Sequence, residues 1–189
     1  MTAIELLDTA LKIGLGAAIG AGGSLIAIKL NAQVAADQER RRRRLDIVEK
    51  AALDFESTFQ VFLRLYSTYN GYLSPPVEPS DSVGVQAMTQ VRQETWSKLT
   101  EMMSKDVPEA LHTLNAIDAS LLLVGATDSS KCAEQFRLAA TDLQSCLVMI
   151  NDLFGHPTPS RETVTRLGNE VSRHRLNFYN ALRQDYSIL

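Results

Sequence analysis

The chain has 189 residues, 45% of them hydrophobic, with 19 Lys and Arg against 22 Asp and Glu for a formal net charge of −3. That hydrophobic content excludes a disordered chain, and 10 Gly with 6 Pro exclude a collagenous one. The charge is uneven: residues 1–50 hold eight Lys and Arg against six Asp and Glu, the remainder eleven against sixteen, so the bulk of the chain lacks the broad basic footprint of a nucleic-acid binder.

The first element is "KIGLGAAIGAGGSLIAIKL", residues 12–30. A secretory signal needs a positive stretch ahead of its apolar core, but here Glu5 and Asp8 precede it and Lys12 is the one cation. The five arginines that follow at 40–44 also oppose export of the rest. A membrane span is the expected reading. Residues 13–28 carry no charge, which gives a helix of about 24 Å against a hydrocarbon core of about 30 Å. Lys29 can snorkel to the interface, and an Asp8–Lys12 pair lowers the cost of extending toward Leu6 and Leu7. Residues 1–30 are therefore expected to form a transmembrane helix with a short outer N-terminus.

On a helix turning 100° per residue, Glu5, Asp8, Lys12, Gly16, Gly20, Gly23 and Ala27 share a sector of about 120°. Leu7, Leu11, Leu15, Ala18 and Leu25 take the other side. Gly16 and Gly20 form a GxxxG pair, which lets two helix backbones approach closely in lipid. A homo-oligomer joined through Gly16, Gly20, Gly23 and Ala27 is the expectation. An alternative places Glu5, Asp8 and Lys12 along an oligomeric pore gated by the rest of the chain.

Residues 31–44 read as a basic juxtamembrane helix. Arg40, Arg41, Arg42, Arg43 and Arg44 form a stop-transfer cluster that draws anionic lipid head groups, about 1 kcal/mol per basic residue near the surface. Without interleaved aromatics they are not expected to bind nucleic acid. The positive-inside rule puts this cluster and everything after it in the cytoplasm, as part of a single-pass protein of the cell membrane.

No Gly or Pro occurs from residue 31 to 70, so the span is expected to run into a long helix. Leu45, Val48, Ala52, Phe55, Phe59, Phe62, Tyr66 and Tyr69 alternate spacings of three and four, a heptad seam that suits a coiled coil or a bundle. "GYLSPPVEPSDS", residues 71–82, should end that helix as an exposed loop. A second helix is expected over 83–105. A third starts at an Asp106–Glu109 capping box with Pro108 in its first turn and stops at Gly125. A fourth covers 129–154 along Cys132, Phe136, Ala139, Leu143, Cys146, Ile150 and Leu153. Ser160 should cap a fifth that turns Val164, Leu167, Val171, Phe178 and Leu182 inward. No sustained period-two run appears. The fold class is all-α: an N-terminal transmembrane helix running into a long helix, then a cytoplasmic bundle of about five helices over 45–189.

For chemistry the sequence offers little. Cys132 and Cys146 would lie about 21 Å apart on one helix, too far for a disulfide. No metal site or cofactor is expected, and His112, His156 and His174 show no ligand spacing. His174 falls in the inward register between Val171 and Phe178, where a buried imidazole needs a partner, so a buried polar pocket is expected there. Arg166 and His174 on this last helix give a layout similar to HEPN ribonucleases, helical bundles with an Arg-x4-6-His motif; here seven residues intervene. That resemblance implies, as an alternative, a ribonuclease tethered to the membrane. The leading expectation is a non-enzymatic interaction or effector module that meets membrane lipid, copies of itself and a cytoplasmic protein partner.

Overall fold

The computed structural model describes residues 3–73, 82–148 and 160–188, with the side chains of 28–72, 89–148 and 160–187. These residues are helical, with no strand among them. Helix α1 is Ala3–Leu73, α2 Ser82–Glu101, α3 Val107–Val124, α4 Thr127–Val148 and α5 Arg161–Ile188. The chain divides into two compact units, Met1–Arg44 and Leu45–Leu189.

In the first unit every described side chain, residues 28–44, is exposed. Arg40 and Arg43 pair with Asp37 and Glu39 along the helix surface at 3.8 and 2.9 Å. Among the described residues no helix is long and apolar enough to cross a membrane. The expected span lies, apart from Ile28, Lys29 and Leu30, on side chains outside those described.

The second unit is a bundle with one hydrophobic core. The expected seam is buried in it: Val48, Phe55, Phe59, Phe62 and Tyr69 all face inward. Phe55 stacks on Phe178 of α5 with centroids 3.8 Å apart and tilts against Phe136 of α4 at 4.7 Å. Phe136 also meets Phe59 and Phe62 at 6.3 and 6.0 Å, so one α4 ring touches three rings of α1. Such pairs contribute about 0.5–1.5 kcal/mol each beyond area burial. Of the two arrangements the seam suits, a coiled coil or a bundle, the chain's own helices supply the bundle, because the aromatics widen its apolar face beyond a two-stranded stripe.

The helix ends divide between expectation and correction. Gly125 adopts φ 84°, and Ala126 N–H reaches Leu121 O at 2.9 Å, the left-handed stop that only glycine takes without strain. Ser160 Oγ accepts the Thr163 N–H at 3.1 Å and caps α5 as expected. The Asp106–Glu109 capping box does not form. Asp106 is itself helical (φ −69°, ψ −40°) and makes no side-chain cap, because α2 continues through a π-helical turn, Met102–Asp106, into α3. A residue with helical dihedrals cannot fold its side chain back over the next turn. Gly71 lies inside α1 rather than after it. Ile150 and Leu153 of the fourth-helix seam lie outside the described residues, as do positions 74–81 of the expected loop.

Two carboxylate contacts, one buried and one partly buried, tie the start of α4 to other helices. Asp185 of α5 accepts both the Ser129 N–H at 2.9 Å and the Ser129 hydroxyl at 2.6 Å, capping the first turn of α4 from another helix. Asp118 of α3 accepts the Ser130 hydroxyl beside it.

Candidate functional site

The seam between α1 and α5 collects the most distinctive side chains of the bundle. Both helices bring aromatics to it at three- and four-residue spacing, and their inner rings stack as described above. Polar groups line its outer edge. Arg175 donates to both oxygens of Glu56, Nε at 2.9 Å and Nη2 at 3.0 Å, while Tyr179 Oη donates to Oε2 at 2.9 Å. Gln60 Nε2 adds a fourth bond at 2.9 Å, and the guanidinium lies 4.6 Å over the Phe59 ring. The Arg175 bonds hold the Glu56 carboxyl below its usual range, against the opposing effect of burial, and Gln60 and Tyr179 lower it further. Burial, and then the bond to Glu56, push the Tyr179 phenol up to about 12. Tyr179 keeps its phenolic proton at neutral pH, and with the guanidinium as a bidentate donor the network acts as a clamp.

Next to the clamp is an apolar groove of about 340 Å³, floored by Val48, Ala52 and Leu182, flanked by Tyr179 and Tyr186, and rimmed by Glu49 and Arg183. On the other side, α5 approaches α1 at Gly168, where a Cβ would come within 2.6 Å of the Tyr66 ring. A more polar groove of about 430 Å³ runs between α1 and α3, with Asp54, Asp106, Glu109 and Arg64 at its walls.

His174, where a buried polar pocket is expected, is half-buried on α5. Its Nδ1 is buried without a hydrogen-bond partner, because the neighbouring inward positions of α5 are apolar and Arg175 turns to Glu56. Burial, then the Arg173 charge, lower its pKa below the usual histidine value, with Glu170 opposing. Arg166 bonds Glu170 at 2.8 Å along the outer face of α5, so the Arg and His of the HEPN-like spacing are not brought together. Cys132 and Cys146 are free and half-buried, and burial raises both thiols, which leaves them poor nucleophiles.

No family model, curated protein or solved structure matches this chain.

The site reading of the N-terminal helix divides by what is described. Arg40, Arg41, Arg42, Arg43 and Arg44 are exposed on α1. Gly16, Gly20, Gly23 and Ala27, and likewise Glu5, Asp8 and Lys12, lie on the α1 backbone with side chains outside those described. Among the described residues no three His, Cys, Asp or Glu group to hold a metal ion. Sequence reasoning missed the Glu56–Arg175–Tyr179 clamp. Its members are 119 and 123 positions apart, and a glutamate one place off an apolar seam reads as an ordinary solvent-facing residue.

Proposed function

We propose that this is a single-pass membrane protein that self-associates through its glycine-faced N-terminal helix and presents the bundle in the cytoplasm as an interaction or effector module. The observation that carries the reading is the state of the helix just ahead of the bundle. Ile28, Leu30 and Val34 are 64%, 54% and 54% exposed, and the core begins only at Ile47 and Val48. Uncovered aliphatic side chains at these positions call for a second apolar surface, which lipid or another copy supplies. The five arginines that follow suit anionic head groups, and their attraction fades beyond a Debye length of about 8 Å at physiological salt. The second support is chemical: the polar groups that join helices, Glu56 with Arg175 and Tyr179 and Asp185 with Ser129, satisfy one another and hold helices in place.

Self-association through the glycine face has a direct test. Gly16→Leu with Gly20→Leu fills the notch that close backbone approach requires, and several-fold less oligomer is expected on native mass determination of detergent-extracted protein. An unchanged mass distribution on dilution contradicts this interface.

A further inference from the structure

The outer face of the α1–α5 pair carries an unusual arrangement. Leu53 on α1 is 73% exposed and Leu176 on α5 is 59% exposed. Leu53 lies one turn from Glu49 on the same side of α1, and Leu176 two turns from Arg183 on the same side of α5. Between these two ridges runs the apolar groove over Val48, Ala52 and Leu182. The ridges are level with each other, because Glu56 meets Arg175 and Ala52 O meets Tyr179 across the seam. One rim of the groove is thus acidic and the other basic, each with an exposed leucine beside it.

We infer that this face is a docking surface for a second copy of the chain, related by a two-fold axis running along the groove. Rotation by half a turn about that axis sets the α1 ridge of one copy against the α5 ridge of the other. Glu49 then faces Arg183 of the second copy and Leu53 faces its Leu176, and the same two contacts repeat on the other side. Such a contact is isologous: one patch, complementary to itself, closing at two copies. The charges match only in this pairing. Opposing like ridges would put Glu49 on Glu49 and Arg183 on Arg183, a repulsive alternative that fixes the register. Apolar centre and charged rim follow the usual interface order. The inference takes from the preceding proposal only that a copy is the partner, and it does not use the glycine face.

The test uses the full chain in detergent, with two differently tagged forms. Glu49→Arg alone and Arg183→Glu alone each place like charges at both rim contacts, and each should weaken self-pairing by about tenfold. Mixed together, the Glu49→Arg chain and the Arg183→Glu chain present opposite charges at both contacts, so hetero-pairs should recover to near the wild-type level. An effect within one chain cannot produce that recovery. Both positions are exposed, and unchanged melting of each variant verifies the fold. Mixed pairs no more abundant than either self-pair overturn the inference. If the charge variants pair as wild type does while Gly16→Leu with Gly20→Leu weakens pairing, this surface is excluded and the glycine face stands. A wild-type chain that stays monomeric at every concentration overturns both.

Discussion

Glu56 accepts four hydrogen bonds from three side chains on two helices, which leaves its carboxylate more favourable in the fold than in the open chain. The consequence for pH has a definite sign. A carboxyl whose folded pKa lies below the ordinary 4.5 contributes stability above that value and loses it as pH falls through the folded pKa. Glu56 and Arg175 are each about a third exposed, so solvent moderates the effect. Glu56→Gln should lower stability at neutral pH by about 1–2 kcal/mol in denaturant titrations, and the gap to wild type should close as pH falls through the folded pKa of Glu56. His174, whose charged form is disfavoured by burial, weakens both proteins alike below about 6.5, so it cancels in the difference. A gap that persists undiminished at low pH would show that Glu56 acts through packing, not charge.

Among elements, the contact of α5 with α1 is the one where a single atom decides. Alanine at 168 gains helix propensity of about 1 kcal/mol over glycine, but its Cβ would meet the Tyr66 ring at 2.6 Å. Overpacking of that kind costs about 1–3 kcal/mol, so Gly168→Ala should be destabilising on balance. In a Tyr66→Ala background the obstruction is gone, and the same substitution should turn stabilising by about 0.5–1 kcal/mol, a sign change that chemical denaturation of the four proteins reads directly. The same sign in both backgrounds contradicts the close approach. Helix faces and several ends were legible in the sequence for local reasons. The period of Val48 to Tyr69, the left-handed Gly125 and the Ser160 cap all depend on neighbours within a turn or two. The capping box at Asp106 misled because the same residues continue a helix through a π-turn, and nothing local announces which wins. Cross-helix pairings were hidden outright. Asp185 on Ser129 and Arg175 on Glu56 join positions 56 and 119 apart, and periodicity identifies a face but not what will lie against it.

At the scale of the whole molecule, two physical problems have separate solutions. The bundle buries the aromatic seam of α1 within its own core, and Leu53 and Leu176 are among the large apolar side chains it leaves exposed. In the helix before it the described aliphatics Ile28, Leu30 and Val34 are exposed, and the proposed anchor accounts for them together with the arginines and glycines. The proposed anchor puts the first thirty residues in a bilayer. The measurement that reaches it most directly is partition of the full-length protein between membrane pellet and supernatant after an alkaline carbonate wash. The protein should stay in the pellet and come off only with detergent. Release into the supernatant as a folded, detergent-free protein would contradict the anchor and, with it, the proposed mode of action.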